Sequence, residues 1–458
     1  MVQGIIHAMI AAIFLISPTF PNTNGQNDEI ETFKPVSSEE TDQTYFVDMM
    51  QMHSLKHLKG FEDSEIFRGI ENGAGYWIEV PKKWNGKLVL YAHGYRGTSS
   101  KLTITEPPFR KELLQEGYAW AASSYSTNRY DVETGIKDTH ALNRLFRNHV
   151  GIPRRTYIMG HSMGGHIAGV YAEQYVNVDG AVPMCGVMGD IELFNFFTAH
   201  GLAAQALAGI RKENQQFPAD GEYDKVVLPK LREKLGNGVT KEPYTGATVF
   251  KELTTAGAKL SVVTENLSGG KRPLFDLAYR HRFNDLLLQQ FPKNPYFEVA
   301  PGNIIDTTNM IYQLDYNPEM SKEEQTFNDS VLRVSHNPLA KNRSGFSKIP
   351  KVTGNLRVPT VTLHTLGDLY VPFSMEQIYK KRAIKHGKSN LLVSRAIRGV
   401  GHCKFTSQEE IQALLDLDKW VEEGKVPEGD EILDPDVVAD KRYGLKFTSK
   451  LRDYDPLK

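Results

Sequence analysis

The sequence is poor in cysteine, has almost no net charge, and lacks repeats and long apolar runs beyond its first residues. It has two cysteines, Cys185 and Cys403, in 458 residues, so a small domain held together by several disulfides is excluded. The formal net charge is −1, which gives no electrostatic reason to expect a nucleic-acid or anionic-lipid partner. No later stretch approaches about 18 consecutive apolar residues, so no transmembrane span is predicted.

An apolar run near the N-terminus, GIIHAMIAAIFLIS, is followed by a polar stretch, PNTNGQNDEIE. The run is shorter than a membrane-spanning helix, and this order is typical of a signal peptide over residues 1–25. The residues before the run include no Lys or Arg, so a membrane anchor or a buried helix is the alternative. A signal peptide predicts a secreted or periplasmic protein, in which residues 26–74 form an N-terminal extension.

Strand-like and helix-like stretches alternate over residues 75–189 and again over residues 351–426. GYWIEVP, KLVLYAHG and RTYIMGHS are typical of strands, and IKDTHALNRLFRNHVG is typical of a helix that ends at a glycine. This alternation predicts an α/β fold with a mostly parallel sheet flanked by helices. Residues 190–350 interrupt the pattern and predict a large, mainly helical cap inserted before the strand that leads to Asp368. Residues 427–458 are treated as a C-terminal extension.

The pentapeptide GHSMG places Ser162 between an apolar strand and a helix of small residues. It fits the G-x-S-x-G pattern of a nucleophile elbow, in which Gly160 and Gly164 remove side chains that would clash. The strand then delivers Ser162 Oγ to the carboxyl edge of the sheet, where N–H groups at the helix start favour a developing oxyanion. The alternative is a glycine-rich turn that only joins a strand to a helix.

Two further side chains come after later strands in an order that suits this chemistry. Asp368 follows TVTLHTL and His402 follows NLLVSRAI, which gives the order Ser, Asp, His along the chain. Asp190 is the alternative acid because it also follows a predicted strand. His364 and His161 are the alternative bases, although His364 lies inside a strand pattern.

These motifs resemble those of α/β-hydrolase-fold serine hydrolases of the esterase and lipase type, over residues 75–189 and 358–424. The resemblance implies that Ser162 is the nucleophile, His402 the general base, and Asp368 the acid that orients the base. It also implies that two backbone N–H groups form the oxyanion hole. These belong to Tyr95, in the turn YAHGYRG, and to Met163.

The pairing of these two oxyanion donors also resembles that of bacterial cutinases, which lack a large cap. The HC dipeptide at residues 402–403 resembles tannases and feruloyl esterases, in which a cysteine also precedes the serine. His161 stands at that position in this chain. The implied activity is hydrolysis of a small-molecule carboxylic ester through an acyl-enzyme, with no metal or organic cofactor.

The inserted segment contains FNFFTAHGLAAQALAG, whose aromatic and small residues suit either the core of the cap or the wall of a pocket for an aromatic or hydrophobic substrate. A proline-iminopeptidase-like peptidase or amidase of the same fold is the alternative activity. The presence of all three triad residues argues against a non-catalytic binding protein. His53 and His57 have i, i+4 spacing but no third ligand nearby, so no metal site is predicted. The oligomeric state is left open.

The two cysteines are expected near one another at the catalytic edge of the sheet. Cys185 ends the strand-like stretch DGAVPMC, and Cys403 directly follows His402. Their expected proximity, together with export, predicts a disulfide between them. The alternative is a pair of buried thiols that act as small apolar side chains.

Overall fold

An eight-stranded sheet forms the centre of the protein. The computed structural model describes residues 44–219, 221–241, 248–287, 303–342, 345–346 and 348–458. The strands of this sheet are, in chain order, β1 (Glu65–Glu71), β2 (Ala74–Val80), β3 (Lys87–Ala92), β4 (Ala119–Ser123), β5 (Arg155–His161), β6 (Gly180–Met184), β7 (Thr360–Gly367) and β8 (Leu392–Val400).

The strands lie across the sheet in the order β1-β2-β4-β3-β5-β6-β7-β8. Strand β2 runs antiparallel to both of its neighbours, and every other neighbouring pair is parallel. The predicted α/β fold with a mostly parallel sheet is therefore confirmed. Because parallel strands end at a common edge, side chains that come directly after β3, β5, β6, β7 and β8 are brought together there.

Helices and the inserted segment cover both faces of the sheet. The middle strands of the sheet are therefore apolar on both sides. Successive residues of β3 alternate between the two layers. The two faces of the sheet are covered by two separate hydrophobic clusters. Leu88 and Leu90 belong to the first cluster, and Val89 and Tyr91 belong to the second. The α-helices are α1 (Met49–Met52), α2 (Arg110–Gln115), α3 (Val132–His149), α4 (Met163–Gln174), α5 (Glu192–Leu207), α6 (Leu228–Leu235), α7 (Thr255–Leu267), α8 (Phe275–Leu287), α9 (Lys322–Ser330), α10 (Ser374–Lys385), α11 (Ser407–Glu423) and α12 (Pro435–Ala439).

Each helix layer is identified by the cluster that its buried residues join. Helices α3, α4 and α10 place their buried apolar residues in the first cluster, and α2 and α11 place theirs in the second. Helix α5, the first of the inserted segment, shares the first cluster with the sheet. The insertion is therefore packed on the same hydrophobic core that supports the strands.

The described part of residues 190–350 is mainly helical, as the fold prediction requires, and holds α5 to α9. It also contains two small antiparallel sheets. Among the described residues of the whole chain, no helix combines the length and apolar character needed to cross a membrane. The small sheets consist of Gly236–Lys241 with Thr248–Leu253, and of Lys341–Asn342 with Gly345–Phe346 and Ile349–Pro350.

The N-terminal part of the structure differs from the prediction in two places. Strand β1 lies inside residues 26–74, so the sheet begins before residue 75. This strand is at the sheet edge and is partly exposed, so its sequence shows no clear alternation of apolar and polar residues. Helix α1 ends before His53, and His57 Nδ1 lies 3.0 Å from Ser64 Oγ, so these two histidines share no helix. The predicted signal peptide lies outside the described residues.

The C-terminal segment, residues 427–458, packs along the exposed edge of β8. Its side chains accept hydrogen bonds from the outward N–H groups of that strand, which would otherwise be free to pair with another chain. The guanidinium of Arg398 on β8 forms an ion pair with Asp455, and both side chains are fully buried. The three edge bonds run from Ala396 N to Asp430 Oδ2 at 2.8 Å, from Arg398 N to Thr448 Oγ1 at 2.9 Å, and from Val400 N to the Tyr454 hydroxyl at 2.9 Å.

Candidate active site

Ser162 stands at the sharp turn between β5 and α4. Its backbone angles are φ 58° and ψ −120°, a conformation that is rare and costly for a residue with a side chain. Ser162 N donates to Met184 O at 3.0 Å, and Ser162 O accepts from His166 N at 3.1 Å. The turn is therefore tied to the end of β6 and to the first turn of α4, which is the strand–turn–helix arrangement of a nucleophile elbow.

Gly160 and Gly164 are required by close backbone packing around this turn. A Cβ atom at Gly160 would clash with Gly164 O, and a Cβ atom at Gly164 would clash with Ala92 O. The start of α4 is thus pressed against the end of β3, with no space for a side chain between them. The steric reason that the sequence suggests for both glycines agrees with these contacts.

The turn after β3, which contains the predicted oxyanion donor Tyr95, packs against Ser162 through Gly94. A Cβ atom on Gly94 would lie 3.3 Å from Ser162 Cβ and 3.8 Å from Ser162 Oγ. Tyr95 directly follows Gly94, and Met163 is the first residue of α4. Of the residues chosen from the sequence as donors, Met163 directly follows Ser162 and Tyr95 directly follows Gly94, and their role stays a prediction.

His93 supports this turn from below. Its ring stacks on the ring of Tyr125 with centroids 4.1 Å apart, and its Nδ1 lies 2.6 Å from Gly94 O. Burial lowers the pKa of His93 to about 4, so the imidazole is neutral near pH 7. A neutral, stacked ring is suited to holding the loop rather than to transferring protons.

Asp368 and His402 are in direct contact. His402 Nδ1 lies 2.6 Å from Asp368 Oδ2. The other oxygen, Asp368 Oδ1, accepts from the backbone N–H groups of Tyr370 at 2.9 Å and Val371 at 3.0 Å. Asp368 is fully buried, whereas a quarter of the His402 side chain is exposed. The carboxylate is therefore oriented by the backbone, and it in turn fixes the imidazole with Nδ1 toward the carboxylate and Nε2 turned away from it.

The alternative acid and one alternative base have other partners. The Asp190 carboxylate forms an ion pair with Arg382 on α10. His364 is fully buried, with Nε2 2.8 Å from Val371 O and Nδ1 3.3 Å from Glu376 Oε1. The structure thus pairs His402 with Asp368, and it leaves Asp190 and His364 to structural contacts.

His161, the other alternative base, is held in the core beneath the elbow. Its Nδ1 lies 2.9 Å from the Tyr91 hydroxyl, and its Nε2 lies 2.6 Å from Glu410 Oε1 on α11. Since both ring nitrogens are occupied, His161 is not placed to act as a base. No sequence pattern pointed to Glu410, because an acid within an amphipathic helix pattern is ordinarily a solvated residue.

A disulfide joins Cys185 and Cys403, with Cα atoms 5.4 Å apart, as the sequence predicted. Cys185 directly follows β6 and is fully buried. A ring nitrogen of His402 and both sulfur atoms lie within 4.8 Å of one another. Because the sulfurs are bonded to each other, this cluster offers no thiolate for a metal. The bridge instead anchors the His402 loop to the centre of the sheet.

The described part of the inserted segment contacts residues close to Asp368 and His402. The guanidinium of Arg272 donates from Nε to Leu366 O at 2.8 Å, two residues before Asp368. The guanidinium of Arg282 on α8 lies over the ring of Tyr370, whose centroid is 5.8 Å from that of the His402 ring. These contacts place α7, α8 and the loop between them beside the acid and the histidine.

The aromatic residues at the start of α5 belong to the hydrophobic core. Phe194 is buried and packs edge-on against the ring of Tyr130, with centroids 5.3 Å apart. Phe196 and Phe197 are also buried in the cluster that this helix shares with the sheet. Of the two roles that the sequence left open for this stretch, these contacts fit the role of a core.

The sheet order, the turn at Ser162 after the fifth strand, and the Asp368–His402 contact after the seventh and eighth strands define an α/β-hydrolase fold. No protein-family model matches the chain. The chain is 23% identical to an o-phthalyl amidase from Xanthobacter agilis, and the match covers 78% of this chain and 88% of that protein.

Solved structures of similar architecture include two fungal enzymes. An esterase from Aspergillus oryzae has 13% identity and a TM-score of 0.43, with 80% of each chain covered. Tannin acyl hydrolase from Aspergillus niger has 14% identity and a TM-score of 0.43, with 80% of this chain and 79% of that chain covered.

Proposed function

We propose that the protein is an exported serine hydrolase that cleaves carboxylic esters of small molecules through an acyl-enzyme. The observation that supports this function best is the contact between His402 Nδ1 and the buried Asp368 carboxylate, at the sheet edge where the strained turn presents Ser162. A carboxylate that orients a histidine beside a serine is the arrangement used for acyl transfer.

In the proposed reaction, His402 Nε2 removes the proton from Ser162 Oγ as Oγ attacks the carbonyl carbon of the substrate. Asp368 stabilises the imidazolium that forms. The negative charge on the carbonyl oxygen is stabilised by the backbone N–H groups of Met163 and Tyr95, each contributing about 3 kcal/mol to lowering the barrier. His402 then protonates the leaving group, and the acyl group remains on Ser162.

The second half of the reaction uses the same groups in reverse. Water enters when the alcohol has left, and His402 removes a proton from it as its oxygen attacks the acyl-enzyme. The bond between Ser162 Oγ and the acyl carbon breaks, and His402 returns the proton to Oγ. The partial exposure of the His402 side chain is compatible with this exchange.

Amide hydrolysis is the second candidate function. It is favoured by the similarity to o-phthalyl amidase, which extends over 88% of that protein. An amide demands more of His402 than an ester does, because the amine leaves only after it has been protonated. An amidase with this mechanism also cleaves activated esters, so the ratio of the two rates separates the candidates.

The test uses pairs of p-nitrophenyl esters and p-nitroanilides with the same acetyl, butyryl or benzoyl group, together with 2-carboxybenzoyl and unblocked prolyl amides. We expect higher kcat/KM on the esters, and a loss of more than about 100-fold in kcat in Ser162→Ala. A fluorophosphonate is expected to label Ser162 in the wild-type protein.

Each other outcome of this test has a defined meaning. Residual kcat above about one hundredth of wild type in Ser162→Ala contradicts the assigned nucleophile. Higher kcat/KM on the 2-carboxybenzoyl amide than on any ester assigns the protein as an amidase. A preference for the unblocked prolyl amide assigns it as a peptidase.

Export is the remaining part of the proposal. It is supported by the leader-like sequence at residues 1–25 and by the disulfide, which suits an oxidising compartment. The mass of the protein recovered from the medium or periplasm is expected to correspond to a chain that begins near Gln26. Full-length protein retained in the reducing cytoplasm would contradict export.

A further inference from the structure

Residues 268–272, in the loop that joins α7 to α8, lie against the chain on both sides of Asp368, and we call them the docking loop. It belongs to the inserted segment, yet it forms hydrogen bonds with the C-terminal end of β7 and with α10. The contacts are tight, because a Cβ atom at Gly269 would lie 3.0 Å from Ser374 N. The three bonds run from Arg272 Nε to Leu366 O at 2.8 Å, from Ser374 N to Ser268 O at 2.9 Å, and from Gln377 Nε2 to Gly269 O at 3.1 Å.

Arg272 is the centre of this contact. Its side chain is 5% exposed, and its guanidinium donates to three uncharged acceptors. Besides the bond to Leu366 O, Nη1 donates to Gly270 O at 2.8 Å and Nη2 donates to Ser268 Oγ at 3.0 Å. The planar fork therefore clamps the docking loop and the end of β7 in one arrangement.

Arg272 also places a buried positive charge close to two carboxylates, those of Glu265 and Asp368. Burial lowers the pKa of Arg272 to about 10, while the charges of Glu265 and Asp368 act to raise it. At that value the guanidinium remains protonated near pH 7. A buried cation is costly unless anions and hydrogen-bond acceptors compensate it, and here Glu265 is the stronger of the two carboxylate influences.

We propose that Arg272 is a positioning residue for the triad. It holds Leu366 O, two residues before Asp368, so the acid is correctly placed only when the docking loop of the insertion is seated. The inference rests on the proposed function, since it concerns the Asp368–His402 pair. Its consequence is that the insertion contributes to kcat and does more than enclose the substrate.

The test compares Arg272→Met and Arg272→Lys with a matched control, Arg333→Met. Arg333 also donates to backbone carbonyls, from Nη1 to Thr307 O at 3.2 Å and to Met310 O at 2.7 Å, but these bonds stay within the insertion. Values of kcat and KM are measured on the best ester substrate for the full-length proteins. Circular dichroism at the assay temperature establishes that each variant is folded.

In Arg272→Met we expect kcat to fall by about 10- to 100-fold, because a small displacement of a catalytic group is enough to cause such a loss. We expect KM to stay within about threefold of wild type, since substrate contacts are unchanged. Arg272→Lys is expected to lose less, but more than about threefold, because an ammonium keeps the charge and cannot make the forked contacts. Arg333→Met is expected to lower thermal stability and to keep kcat within about threefold.

The proposal is overturned if Arg272→Met keeps kcat within about threefold of wild type, or if Arg333→Met loses as much kcat. If Arg272→Met does not fold, Arg272→Lys decides, and a kcat within about threefold of wild type overturns the proposal. Ser162→Ala in the same assay separates two failures. Activity without Ser162 overturns the proposed function together with this inference, whereas an inactive Ser162→Ala beside a fully active Arg272→Met overturns this inference alone.

Discussion

At the scale of single residues, Asp368 and Asp190 have the same side chain but different partners, and we expect their partners to decide which of them takes part in the reaction. Both come after a strand of the parallel sheet, and both are buried. Asp368 contacts the partly exposed His402, whereas Asp190 is neutralised by Arg382. A carboxylate beside a partly exposed histidine can orient that ring and stabilise its imidazolium, whereas a carboxylate paired with an arginine is held in a structural contact.

Substitution of each acid is expected to separate activity from stability. Asp368→Asn should lower kcat by about 10⁴-fold, because the amide favours the wrong tautomer of His402, and should change stability little. Asp190→Asn should keep kcat within about threefold at temperatures where it is folded. It should lose about 3–5 kcal/mol of unfolding free energy, because it leaves Arg382 without its anion. Kinetics and urea unfolding check both values, and the reverse pattern would assign the acid to Asp190.

His166 predicts a pH dependence of stability. Its Nε2 donates to Pro350 O at 2.7 Å, so its Nδ1 accepts from the Tyr130 hydroxyl at 3.0 Å and the ring is neutral. Burial lowers its pKa to about 4, below the value of about 6.5 in an unfolded chain. The contribution to stability is therefore complete above pH of about 6.5 and is lost as the pH falls toward 4.

His166→Gln is expected to remove this component. As the pH falls from about 7 to about 5, the unfolding free energy of the variant should decrease less steeply than that of wild type. Within the titration range the two slopes should differ by up to about 1.4 kcal/mol per pH unit. The other buried histidines, which include His93, His161, His200 and His364, are present in both proteins, so the difference isolates His166. Urea unfolding at several pH values measures the two slopes, and parallel curves would refute the assignment.

At the scale of elements, the disulfide ties the loop after β8 to the end of β6. It joins residues 218 apart in sequence, so in the chain-entropy model it contributes about 5 kcal/mol by restricting the unfolded chain. The same loop is also held by the bond from Gly401 N to Gly367 O at 2.9 Å. The bridge thus acts on both the stability of the molecule and the place of His402.

Replacing both cysteines is expected to lower the melting temperature and kcat together. The double variant Cys185→Ser/Cys403→Ser leaves no unpaired thiol and loses the anchor of the His402 loop. Wild-type protein treated with a reductant should approach the double variant in both quantities, and the double variant itself should not respond to the reductant. Equal kcat in the two proteins would show that hydrogen bonds alone hold the histidine.

At the scale of the whole molecule, the sequence predicted the features set by strand ends and missed those set by packing between distant segments. Ser162, Asp368 and His402 could be chosen because each comes just after a predicted strand, and such positions meet at one edge of a parallel sheet. The role of Arg272 could not be predicted, because the bond to Leu366 joins residues 94 apart and leaves no local pattern. Strand β1 was missed because an edge strand is only partly buried.

The contact between the C-terminal segment and the edge of β8 could not be predicted from sequence patterns either, for a different reason. The segment protects the edge of β8 with isolated side chains, so it has neither the period of a strand nor that of a helix. Its buried ion pair with Arg398 could be recognised only once the edge strand had been located. The prediction therefore described it as an unassigned extension, although it completes the sheet.

The disulfide also determines whether the fragments separate after a protease cuts the chain. Residues 186–402 form a covalently closed loop that contains the whole inserted segment, 190–350. A single cut inside that loop adds one water and leaves the two fragments linked, so the nicked chain stays one covalent molecule until a reductant separates the fragments. Ser162 lies on the fragment that carries Cys185, and His402 lies next to Cys403 on the other fragment. A cut within the insertion therefore leaves the proposed nucleophile and the loop that carries His402 covalently joined.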